Sequence, residues 1–180
     1  MSTKTDKAKS SWKPVFDRRA SVYKFGHGYV ITSSRFSRIG LSQQAPPYYS
    51  MPEDATPSMI AKTIQKALLN ADLMYPNPKP MGDATRSFLR HCRAKRWVDV
   101  DPMAFVSIDQ LPSGNWQLWP MYRDGLGHSP VRTSPRRVPA ARGLEGLARG
   151  IVLAIAESEA MFVPRRRRPP RRTPLGMKIW

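Results

Sequence analysis

Three histidines, two closely spaced aspartates and two basic runs are the residues of this 180-residue chain that could do chemistry. His27, His91 and His128 are scattered, and none lies three or four residues from another His or Cys, the spacing that sets two zinc ligands on one helix face. No metal site and no cofactor is expected from them. Asp99 and Asp101 stand at i and i+2. On a strand they would project from one face, where two carboxylates can hold a metal or share acid and base roles. The same pair also suits a solvated strand face or a contact for a basic partner. Neither a Gly-x-Ser-x-Gly elbow, a phosphate-binding P-loop nor a Gly-x-Gly-x-x-Gly fingerprint occurs. The residues therefore read as those of a binding protein and not of an enzyme.

The basic residues point to anionic partners. Arg86, Arg90 and Arg93 recur at helical spacing, and such a stripe can neutralise successive phosphates. It equally reads as the solvated face opposite Phe88, Leu89 and Cys92. The segment 164–180 carries Arg165–Arg168, Arg171, Arg172 and Lys178 with no acid, a composition that binds RNA or other anionic surfaces without sequence preference. A basic RNA- or DNA-binding accessory protein is thus one reading. Of the formal +17, seven charges lie in this tail and a net three in residues 1–13, which leaves a moderately basic body.

The elements that must position these residues can be read from pattern. Residues 1–13 form a Lys/Ser-rich arm and 164–180 an Arg/Pro-rich tail, both expected to be disordered. Residues 14–163 are expected to make a single domain, because the length suits one core. Ala20–Lys24, the turn Gly26-His27-Gly28 and Tyr29–Thr32 read as a hairpin. Polar, Pro-rich residues 33–50 read as a loop. Thr56 as cap, Pro57 at the first helical position and Ile60, Ile64, Ala67, Leu68 and Ala71 on one face predict a helix. A second helix is expected over about 83–96. Trp97–Asp101, Met103–Asp109 and Trp116–Tyr122 read as strands, 123–137 as a loop, and about 141–159 as a last helix. The single Cys92 excludes a disulfide within the chain and falls in the apolar phase of the second helix, which makes it a core residue. The N-terminal stretch has no apolar segment of leader type, and the longest aliphatic run, Ile151–Ala156, is far too short to span a membrane. A cytoplasmic location with no membrane partner is the expectation.

The chain also repeats itself. At an offset of 87, Pro52 falls on Pro139, Ile60-Ala61 on Leu147-Ala148, Ile64 on Ile151, and Ala67-Leu68 on Ala154-Ile155. Upstream, Gly26-His27-Gly28 falls on Ser113-Gly114-Asn115, Tyr29 on Trp116 and Ile31 on Leu118. The expected fold class is α+β. Two pseudo-repeated β-hairpin-plus-helix units, about 20–72 and 103–159, pack as one sheet-and-helix domain with disordered basic termini.

From Val22 to Asp72, with the loop Ser33-Ser34-Arg35-Phe36-Ser37-Arg38-Ile39-Gly40-Leu41 and a Pro-led acidic segment before the helix, the sequence resembles the immunity proteins of bacterial contact-dependent growth inhibition systems. The order of the later half, FVSIDQLPSGNWQLWPMYRDG and then a helix, is similar too, so the resemblance covers roughly residues 20–158. It implies a non-enzymatic protein that binds a cognate toxin domain one-to-one and neutralises it. The toxin would be the C-terminal domain of the effector, a nuclease and often one acting on tRNA. Ser33, Ser34, Arg35, Arg38, Gly40 and Leu41 would be the family-like loop. Immunity proteins against nucleases are often acidic because they oppose a basic surface, whereas this body is basic. Recognition would then use a local acidic patch, Glu53/Asp54 or Asp99/Asp101, with Tyr48 and Tyr49 as aromatic anchors, or else an acidic toxin surface.

Overall fold

In a computed structural model of the chain, residues 17–36, 42–71, 82–124 and 127–162 are described. Both basic arms lie outside that range. The strands are β1 (Arg18–Phe25), β2 (Gly28–Phe36), β3 (Ser42–Met51), β4 (Ala104–Gln110), β5 (Trp116–Asp124), β6 (Gly127–Pro130) and β7 (Arg136–Val138). They form one antiparallel sheet in the order β3-β2-β1-β4-β5-β6, with β7 also pairing β5. The helices are α1 (Pro57–Leu69), α2 (Gly82–His91) and α3 (Gly143–Ala160). The α+β expectation holds. No described helix is long and apolar enough to cross a membrane.

Alternation in the central strands sorts the core into two layers. Ala20, Val22, Ile31, Val106, Ile108 and Leu118 meet the apolar faces of α1 and α3 on one side of the sheet. Tyr23, Phe25 and Val30 point to the other side, where Phe88 and Leu89 of α2 and Cys92 just beyond it cover them. Cys92 is buried, and burial pushes its thiol up to about 12. The start of α1 follows the expected chemistry: Thr56 Oγ1 accepts the Met59 N–H at 3.3 Å, and Pro57 opens the helix.

The repeat is built into the strand registers. Trp116 pairs with Val138 as Tyr29 pairs with Met51, and Leu147, Ala148, Ile151, Ala154 and Ile155 are buried as their α1 counterparts are. One residue of offset separates the first strands. Lys24 pairs with Tyr29 across four residues, but Gln110 pairs with Trp116 across five. Ser107 therefore matches Ser21, and these two buried serines face each other in the β1–β4 register. An approximate two-fold axis passes between them and sets α1 and α3 antiparallel.

Four expectations need correction. Residues 33–50 are not a loop: β2 continues to Phe36 and β3 follows. Pro46 and Pro47 are tolerated because β3 is an edge strand, with a register shift opposite at Thr32/Ser33. Within 123–137, β6 and β7 take the place of a loop. Trp97–Asp99 is a 3-10 turn and not a strand. The second helix stops at His91, because Arg93 adopts φ 53° and the Ala94 N–H returns to the Leu89 carbonyl at 2.9 Å, closing the helix end.

Two glycines fix close approaches. Gly28 has φ +122°, and a Cβ there would lie 2.1 Å from the Met51 carbonyl oxygen. A Cβ on Gly150 would lie 2.7 Å from Val138 Cγ2 and 2.8 Å from Leu118 Cδ1, so glycine lets α3 settle onto β5 and β7. The far end of α3 is fastened by Ser158. Its hydroxyl accepts the Phe105 N–H at 2.9 Å and donates to the Met121 carbonyl at 2.5 Å. Next to it, Lys24 and Glu159 pair at 2.6 Å.

Candidate functional site

The residues singled out from sequence do not converge on one spot. Tyr48 and Tyr49 are neighbours on β3 and so face opposite sides. Tyr48 packs on Phe88 and His91, with ring centroids 5.7 and 5.6 Å away, and burial raises its phenol. Tyr49 packs against the α1/α3 core, and its hydroxyl accepts Asn70 Nδ2 at 3.5 Å. Glu53 and Asp54 are exposed in the turn between β3 and α1, and no ion pair joins them among the described residues.

The aspartate pair is taken apart. Asp99 closes a 3-10 turn and accepts both the Arg96 backbone N–H and its guanidinium, at 3.1 and 3.0 Å. Asp101 is half-buried and paired with Arg123. The shared strand face expected of Asp99 and Asp101 does not exist, because the chain turns between them. Each carboxylate is committed to an arginine.

Ser33, Ser34 and Arg35 belong to β2 rather than a loop. Ser33 is fully buried and donates to the Ala67 carbonyl at 2.7 Å, which ties β2 to the end of α1. Arg38, Gly40 and Leu41 lie outside the described residues. Arg86 and Arg90 are exposed on α2, but Arg93 sits past the helix end, so the expected three-residue stripe is cut to two.

The histidines have local roles. His27 stacks on Phe25 at 5.1 Å, and burial lowers its pKa, helped by the charge of Arg93. His91 Nδ1 lies 2.7 Å from Ser50 Oγ. His128 meets Phe105 edge-on at 4.8 Å and is lowered by burial and by Arg123. No group of three His, Cys, Asp or Glu side chains among the described residues could hold a metal.

A concavity among the described residues lies elsewhere. A groove of about 690 Å³ runs between β7 and the first turns of α3. Arg136, Arg137, Arg142 and Arg149 line it, and Glu145 is its one acid. Its apolar lining is Val138, Pro139 and Leu153, and Leu153 is 50% exposed. Gly146 and Gly150 let neighbours close on the helix wall: Arg142 lies directly over Gly146, and Val138 and Leu118 pack onto Gly150. A smaller cleft of about 310 Å³ shares Arg137, Val138 and Pro139 and is lined by Asn115 and Trp116. Trp116 is buried, and its indole N–H has no hydrogen-bond partner among the described residues.

The charges in the groove are unequal. Arg136 pairs with half-buried Glu157, so it is spoken for. Arg149 pairs with Glu145, but both are three-quarters exposed, where such a pair contributes little. Arg137 and Arg142 have no ion pair among the described residues. Sequence reading missed this site because Arg136 and Arg137 fall in a stretch that looks like a loop, while Arg142 and Arg149 fall in a helix whose packing partner it did not show. The signal was there in the cluster Arg132, Arg136, Arg137, Arg142 and Arg149 around Pro139.

No protein-family model and no curated protein matches the sequence. The fold does have solved counterparts. A protein of unknown function from Neisseria meningitidis superposes with a TM-score of 0.62 at 14% identity, over 81% of this chain and 97% of that one. A chain of the CdiA-CT/CdiI toxin and immunity complex from Yersinia pseudotuberculosis superposes with a TM-score of 0.61 at 12% identity, over 78% of this chain and 96% of that one. At these identities the likeness is one of fold.

Proposed function

We propose that this chain is an immunity protein. It binds the C-terminal toxin domain of a contact-dependent growth inhibition effector one-to-one and neutralises it in the bacterial cytoplasm. The toxin this reading expects is a nuclease, the class to which such toxins commonly belong, tRNA being a frequent substrate. The observation that carries the reading is the shared fold with a chain of a toxin and immunity complex, which extends over 96% of that chain. The sequence resemblance over residues 20–158 points the same way.

The side chains support a protein that acts by covering a partner. Asp99, Asp101, Asp109 and Glu157 are all bound to arginines, which favours fixed structure over proton transfer. The surface instead offers a cationic groove on one side and the exposed acids Glu53 and Asp54 on another. A protein that inhibits by docking needs shape and charge, and no reacting group.

The test is co-expression with the cognate toxin domain, which this reading expects at the C-terminus of a large secreted protein encoded immediately upstream. The expected result is restored growth and a one-to-one complex by light scattering. Growth arrest despite soluble expression of both chains would overturn the reading.

A further inference from the structure

We infer that the groove between β7 and α3 binds an acidic, extended segment of the partner protein. This rests on the reading of the chain as a binding protein for a toxin domain, and it names the chemistry of the contact. Arg137 and Arg142 present guanidinium forks with no carboxylate of their own among the described residues, and a guanidinium takes a carboxylate through two parallel hydrogen bonds. Arg149 is held only by an exposed partner and can exchange it. The shared Val138–Pro139 lining and Leu153 give apolar surface to the stems between the acids. Beyond Pro139, the Trp116 indole adds a buried donor that lacks an acceptor among the described residues.

Two other occupants fit less well. A single-stranded nucleic acid is held by stacking on aromatic rings as well as by cations. The groove is lined by no aromatic ring and carries the Glu145 carboxylate, which repels phosphate. The chain's own undescribed segments are neutral or basic, and 163–180 is strongly so, so none of them complements four arginines. The occupant comes from another molecule. An acidic contact also resolves why a toxin-binding body would itself be basic.

The test uses the full-length, 15N-labelled chain and a fluorescein-labelled peptide, Asp-Glu-Val-Asp-Glu-Leu, with a hexauridylate as the competing probe. Among the indole N–H cross-peaks, that of Trp116 is identified with the W116F variant. The peptide is expected to shift the Trp116 cross-peak, and raising the salt is expected to weaken the effect. R137E/R142E turns two attractions into repulsions and is expected to weaken peptide affinity about tenfold. R137Q/R142Q, which keeps the bulk of both side chains, is expected to weaken it by less. Binding that reaches the arginine tail alone leaves the Trp116 signal still and overturns the inference. So does a Trp116 shift that persists in R137E/R142E, or one produced by the hexauridylate and not by the peptide. A silent groove in a chain that still neutralises its toxin overturns this inference alone, whereas failure to neutralise overturns the reading beneath it.

Discussion

Removing one hydroxyl, in Ser158→Ala, tests how α3 is held on the sheet. Ser158 is 2% exposed, and its Oγ stands between two strands, accepting the Phe105 N–H and donating to the Met121 carbonyl. The alanine variant loses both bonds. Each contributes roughly 1 kcal/mol net, and the orphaned Phe105 amide, being only part-buried, adds about 1 kcal/mol more. The expected loss is therefore about 3 kcal/mol. With a urea slope of about 2 kcal/mol/M for a domain of this size, the unfolding midpoint falls by about 1.5 M at unchanged slope. Hydrogen exchange at the Phe105 amide is expected to accelerate in parallel. A midpoint shift below about 0.3 M, with Phe105 still protected, would refute the reasoning, because the hydroxyl would then not be bridging the strands.

Two further outcomes follow from the same kind of argument. Gly28→Ala places a Cβ 2.1 Å from the Met51 carbonyl at a positive φ. It is expected to cost about 2–4 kcal/mol in thermal or urea unfolding, since both backbone strain and a displaced strand end contribute. Cys92 is expected to resist a thiol reagent in the folded chain and to react on unfolding. Burial holds its folded pKa at about 12, above the thiol's ordinary value of 9.0. The unfolded chain therefore loses its proton first, and stability falls as the pH rises from about 9 towards 12. Cys92→Ala should flatten that part of the pH profile; an unchanged slope would contradict it.

How much of this was legible in the sequence depends on what each element answers to. Helix α1 is legible because its cap, its proline and its buried face are all local. The repeat is legible for the same reason, since Ile64 and Ile151 do the same job in two copies. β3 is not, because Pro46 and Pro47 argue against a strand anywhere but at an edge, and edge position is a property of the whole sheet. The end of α2 is set by Arg93 in a left-handed conformation that a glycine would have announced and an arginine does not. The groove is invisible for a similar reason. Arg136 and Arg137 read as loop charges until the pairing of Trp116 with Val138 lays β7 beside α3. Asp99 and Asp101 show the converse failure, since spacing alone cannot tell a strand from a turn.

The measurement that bears most directly on the immunity reading is a titration of the purified full-length chain into its cognate toxin domain, with cleavage of total RNA and of tRNA as the readout. The account predicts that activity falls linearly and reaches background at one equivalent. Full nuclease activity in the presence of excess, folded chain would contradict it.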